Sequence, residues 1–164
     1  MIEFKAVNFP VDLEISTKII RDAFITVADE FNLNTDNCPT NPAFIEPVIL
    51  ESLLTDFREL YLLCYGKTPV GFVGIEQSPS EERIFFIEKV AVIPEFRHRG
   101  LGREIMKFAQ NRILEMGGRQ ASIAIIHENL RLRAWYKTMG FEETGVKKFN
   151  HLPFEVCFMA KELR

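Results

Sequence analysis

The stretch Val90 to Arg103 reads VAVIPEFRHRGLGR: an apolar run stopped by Pro94, then Arg97-x-x-Gly100-x-Gly102 leading into a helical pattern. The chemistry that suits it is anion binding. Gly100 and Gly102 let the backbone approach a ligand closely. The first N–H groups of a helix have no intrahelical acceptor and can donate to phosphate oxygens, and Arg97, Arg99 and Arg103 add positive charge at the same place. The run is not a dinucleotide fingerprint, which needs a third glycine where Ile105 stands, nor a P-loop, which needs Gly-Lys-Ser/Thr. Phosphate binding stands against a plain strand-to-helix turn with solvated arginines. Glu88 precedes Val90 by two residues, and strand alternation puts the two on one face; its carboxylate reads as a general base or as half of an ion pair. His127 and His151 are further candidate bases, each also readable as structural or solvated.

Composition bounds what surrounds these residues. The chain has 164 residues, 47% hydrophobic and 26% charged, which suits one ordinary globular domain spanning 1–164. A net charge of −3 supplies no global field for a polyanion, so no nucleic-acid partner is expected. The longest stretch without Asp, Glu, Lys or Arg is nine residues, Asn37 to Ile45, while a membrane-spanning helix needs roughly 18 or more apolar ones. No membrane association is expected. MIEFKAVNFP lacks the features of a signal peptide, which points to the cytoplasm. Cys38, Cys64 and Cys157 are odd in number and fit no CxxC spacing, so reduced thiols and no metal site are expected.

The elements that must position the chemistry follow from periodicity. IEFKAV alternates as a half-buried strand does, and Pro10 opens a helix of about twenty residues. Its buried stripe is read as Leu13, Ile20, Phe24, Val27 and Phe31, flanked by Ile19 and Ala23, with Ser16 the one polar member. Asn32 to Pro47 reads as an irregular loop, and Val48 to Phe57 as a short helix. Glu59–Tyr65, Pro69–Gln77 and Arg83–Ile93 form an antiparallel meander, followed by a helix over Gly100–Met116 and a strand over Ala121–Ile126. A helix over Asn129–Thr138 stops at Gly140, and strands near Phe141–Phe149 and Phe154–Lys161 complete a mixed sheet. The fold class is α/β, with the longest helices on the sheet faces.

Val90, Val92, Pro94, Arg97, Gly100 and Gly102 stand in the pattern of the acetyl-CoA signature (Q/R-x-x-G-x-G/A) of the GNAT superfamily, the acyl-CoA-dependent N-acyltransferases, and downstream Asn129, Tyr136, Gly140 and Phe141 match its N-x6-Y-x3-G-F segment. The chain resembles that family closely from Phe85 to Phe141 and by order of elements throughout. The resemblance implies a mixed, mostly antiparallel central sheet with helices on both faces, and acetyl-CoA as co-substrate. It implies that Val90 and Val92 pair with the pantetheine arm between two splayed strands. The N–H groups of Arg97, His98, Arg99, Gly100, Leu101, Gly102 and Arg103 would hold the pyrophosphate. Val90 N–H would polarise the thioester carbonyl. Tyr136 matches the family tyrosine near the CoA sulfur and is the implied general acid; Asn129 is either an N-cap or a ligand to the CoA arm. Glu88 resembles the base or amine anchor of several members. The implied acceptor is a small-molecule amine or amino-acid-like compound. A peptide acceptor or a non-catalytic acyl-CoA sensor are the alternatives, and relatives commonly pair as homodimers.

Two features concern the acceptor. The loop Asn34 to Pro42 carries polar side chains that could read an amine or carboxylate, or simply cap a turn. Phe31, Phe44, Phe149 and Phe154 could line an apolar pocket, whereas Cys38 has no His neighbour in sequence to make it a nucleophile.

Overall fold

The computed structural model describes residues 1–164. Its seven strands are β1 (Ile2–Ala6), β2 (Arg58–Tyr65), β3 (Thr68–Gln77), β4 (Ile84–Val92), β5 (Gln120–Ile126), β6 (Glu142–Lys148) and β7 (Glu155–Glu162). They form one sheet in the order β1-β2-β3-β4-β5-β7-β6, antiparallel except where β4 meets β5. Helices α3 (Leu101–Glu115) and α4 (Leu130–Lys137) pack on one face, around Ile105, Met106, Ala109 and Tyr136. Helices α1 (Leu13–Glu30) and α2 (Pro47–Ser52) cover Leu60, Leu62, Phe72 and Ala91 on the other. The expected mixed α/β architecture is therefore present, strand for strand.

Two local expectations change, and one open alternative is decided. The fully buried residues of α1 are Ser16, Thr17, Ile19, Ile20, Ala23 and Ala28, while Leu13, Phe24, Val27 and Phe31 are only half-buried. Small side chains mark where the helix axis comes nearest the sheet, and the large ones expected at the centre of the stripe sit at its flanks. Helix α2 ends at Ser52 instead of Phe57, because Thr55 to Arg58 closes a tight turn and Arg58 Nη1 donates to Leu53 O at 3.3 Å. The Asn34–Pro42 loop consumes its own polar groups. Asn34 Oδ1 accepts from the N–H of Asp36 and Asn37, Asn37 Oδ1 accepts from Asn34 N–H, and Asn41 Oδ1 accepts from Ala43 N–H. It is a capped turn.

The strand β4 carries the fold's most consequential irregularity. Lys89 adopts φ +51°, and β3 pairs Gly74 with Glu88 but Phe72 with Ala91, so β4 holds one extra residue. Such a bulge re-aims the side chains beyond it. Ile87 and Val90 pack toward α3, while Glu88 lies over Gly74 on the α1 side. The expectation that Glu88 and Val90 share a face is thus wrong, because strict alternation fails across Lys89. No helix is long and apolar enough to cross a membrane.

Candidate active site

Strand β4 pairs with β5 at only three positions, Ile84 with Gln120, Phe85 with Ala121 and Phe86 with Ser122. Beyond Phe86 the two strands part. Ile93 N–H donates to Val70 O of β3 at 2.9 Å; backbone groups alternate in direction along a strand, so Val92 and Val90 turn theirs toward the gap. The Val92 carbonyl there accepts from Arg97 Nε at 3.1 Å. Val90 N–H and C=O and Val92 N–H are left without a strand partner, a short free edge at the floor of a cleft.

The cleft leads to the glycine-arginine loop. Arg97 N–H donates to Pro94 O and Glu104 N–H to Gly100 O, but the six N–H groups between them, from His98 to Arg103, have no main-chain acceptor. An ordinary helix start leaves four. His98 (φ +63°) and Gly100 (φ +78°) are both left-handed, which curls the run into a concave nest of the kind that receives anions. A Cβ on Gly100 would meet nothing within 4 Å, so the loop is open on that side. The helix dipole of α3 adds partial positive charge at the same point.

The arginine side chains do less there than their sequence suggests. Arg97 is half-buried and donates to Val92 O, Thr26 Oγ1 and Ala23 O, the last two on α1. Arg99 lies over the Phe96 ring at 4.7 Å. Arg103 Nη2 donates to Thr138 Oγ1 at 2.8 Å and so joins α3 to the end of α4. Gly102 also has a packing role that sequence did not show: a Cβ there would lie 3.1 Å from the Trp135 ring. The second glycine lets α4 seat against the start of α3.

That seating positions Tyr136. The residue is 5% exposed, with edge-to-face contacts to Trp135 (centroids 4.9 Å apart) and Phe141 (5.7 Å). Burial alone pushes its phenol above the usual range, with no hydrogen bond contributing, which makes it a weaker acid than a solvated tyrosine. Asn129 is buried and caps α4, its Oδ1 accepting from Leu132 N–H at 3.2 Å.

Glu88 sits in an ion-pair cluster on the opposite face of the sheet. Its Oε1 is 2.6 Å from Arg58 Nε, a close charge contact that is not aligned as a hydrogen bond, and its Oε2 is 3.7 Å from Lys89 Nζ. Arg58 also pairs with Glu76. Gly74 makes room for this carboxylate, since a Cβ there would lie 3.0 Å from Glu88 Cγ. The other candidates are dispersed. His127 Nδ1 is buried without a partner at the end of β5. His151 is exposed, its ring 5.8 Å from Phe149. Phe31, Phe44 and Phe154 pack around Ala28, Leu33 and Cys38, while Phe149 meets Phe158 edge to face.

A family model for the acetyltransferase (GNAT) family matches residues 25–141, most of the chain and both motifs. The chain belongs to the GNAT family of acetyltransferases. Its enzymatic class is acyl-CoA-dependent acetyl transfer, with acetyl-CoA as co-substrate. Solved structures share the fold at low identity. The ribosomal-protein-S18-alanine N-acetyltransferase of Escherichia coli superposes with TM-score 0.77 at 15% identity, covering 99% of this chain and 94% of that one. A GNAT family acetyltransferase from Elizabethkingia anophelis with acetyl-CoA bound gives 0.69 at 16%, covering 99% and 98%. One from Staphylococcus aureus gives 0.73 at 16%, covering both chains fully.

Proposed function

We propose that this GNAT enzyme acetylates the primary amine of a small, amino-acid-like molecule by direct attack on acetyl-CoA in a ternary complex. The observation that carries the cofactor half of this reading is the run of six free N–H groups from His98 to Arg103. It suits a pyrophosphate, and the free edge at Val90 and Val92 suits an extended pantetheine arm. Val90 N–H is the assigned donor to the thioester oxygen as negative charge develops on it.

The amine nitrogen forms its bond to the acetyl carbon as the carbon–sulfur bond breaks. Tyr136 gives its proton to the departing thiolate, whose conjugate acid titrates near an ordinary thiol at about 8.5. Glu88 anchors the incoming amine, and its carboxylate or a water beside it takes the proton that nitrogen sheds. The bulge at Lys89 favours this division of labour. Tyr136 belongs to the α3 side of the sheet and Glu88 to the α1 side, with the β4 edge between them. The tyrosine at position 136, where the family motif carries one, argues for catalysis over acyl-CoA sensing, since a sensor has no use for a thiolate acid.

The test is thiol release from acetyl-CoA over a panel of small amines, amino acids and short peptides, with calorimetric CoA binding alongside. Turnover on a small amine is expected. Peptide-only turnover transfers the assignment to peptide acetylation, and tight CoA binding with background thiol release on every acceptor overturns the enzymatic reading.

A further inference from the structure

We propose that the Arg97 side chain is a positioning residue: it holds the pyrophosphate loop in its anion-binding shape by tying it to α1, so that loop occupancy and the set of that helix are coupled. The inference rests on the reading of residues 98–103 as the pyrophosphate site.

The geometry separates this role from a phosphate contact. All three kinds of guanidinium nitrogen are engaged, and none by a group of the loop's own nest. Nε donates to Val92 O at 3.1 Å, Nη1 to Thr26 Oγ1 at 3.1 Å and Nη2 to Ala23 O at 2.8 Å. One side chain thereby joins the free edge of β4, the first residue of the loop and the middle of α1, which is more than seventy positions away in sequence. Burial lowers the basicity of this guanidinium, as expected for a group withdrawn from water. Only arginine can serve three acceptors in three directions, because its donors are fixed in a planar fork; a lysine ammonium reaches one such cluster as a point charge.

Helix α1 gives the tie a consequence beyond the loop. Past Thr26 it packs through Val27, Ala28 and Phe31 in a small core with Leu33, Cys38, Ile126 of β5 and Phe154. That core joins α1 to the outer end of β5 and to the turn before β7, the rim of the cleft on the Glu88 side. A loop locked by its ligand therefore restrains α1, and a restrained α1 restrains the acceptor rim. Binding free energies couple reciprocally, so acceptor and CoA should favour one another through this contact.

The experiment measures CoA binding by calorimetry and amide exchange across α1 for the wild type, Arg97→Lys, Arg97→Met and Thr26→Val, with urea unfolding to confirm that each variant is folded. CoA is expected to slow exchange over residues 24–31 in the wild type. Arg97→Met should weaken CoA about tenfold, the equivalent of one charge-assisted hydrogen bond. Arg97→Lys should be equally weak despite its retained charge, and both should lose the α1 protection. Thr26→Val, remote from any phosphate, should weaken CoA by roughly twofold. Wild-type affinity in Arg97→Lys, or no CoA-dependent protection of α1 in the wild type, overturns the tie while leaving acetyl transfer intact. A wild-type chain that binds no CoA overturns both.

Discussion

Replacing Gly100 separates two things a glycine can do, adopt a left-handed backbone and leave room for a ligand. At φ +78° a β-branched residue is strained, and left-handed backbone costs an ordinary L-residue about 1–2 kcal/mol. Total stability is of order 5–15 kcal/mol, so Gly100→Val should fold, weakened. Asparagine visits this region readily, and nothing lies within 4 Å of the new Cβ, so Gly100→Asn should unfold in urea within about 0.5 kcal/mol of the wild type. Residue 100 nevertheless lies within the run of six free N–H groups, and a side chain there enters space that is open in the structure. Losing two charge-assisted bonds of about 1.5–3 kcal/mol each weakens CoA at least 100-fold. Calorimetry with CoA and urea unfolding on the same preparation read both effects. A Gly100→Asn protein that is as stable as the wild type and binds CoA equally well would refute the pyrophosphate assignment.

Other expectations are quickly checked. Ser16 Oγ is fully buried without a partner, so Ser16→Ala should gain about 1 kcal/mol, read as a Tm rise of roughly 2–4 °C; a loss would mean the hydroxyl is satisfied. Tyr61 donates to Glu59 at 2.6 Å, and burial followed by that carboxylate raises its phenol to about 12. A raised value stabilises fully below the unfolded pKa, about 10, and that stabilisation is lost as pH climbs through about 12. Thermal stability should therefore fall over that window, and fall less steeply in Tyr61→Phe; parallel profiles would contradict the burial argument. Glu88→Gln should lower kcat with CoA affinity unchanged, and Gly74→Ala, which crowds the same carboxylate, should do so in part; full activity in both would hand the base role to water or a histidine.

The elements were legible because their signals are local. Pro94, Gly117 and Gly140 punctuate the chain, and α3 shows its period in Leu101, Ile105, Ala109 and Ile113, all buried. The turn into α3, with its free N–H groups, was legible for the same reason, since Gly100 and Gly102 mark the start of that helix. The bulge was not. Lys89 takes a positive φ with no Gly or Asn to announce it, so alternation misplaced Glu88. The arginines misled in another way. Sequence reports their charge but not their partners, and Arg97, Arg99 and Arg103 each find one inside the protein. Gly102 looked like ligand space and is also the seat of Trp135. Contacts between residues far apart in sequence decide Arg97, Arg103 and Gly102.

We propose that Tyr136 completes acetyl transfer by donating its phenolic proton to the leaving thiolate. Steady-state turnover of Tyr136→Phe, with acetyl-CoA affinity measured on the same protein, tests it most directly. The expected result is a kcat lower by roughly 100-fold or more with acetyl-CoA binding within about twofold. Wild-type kcat in that variant would contradict it.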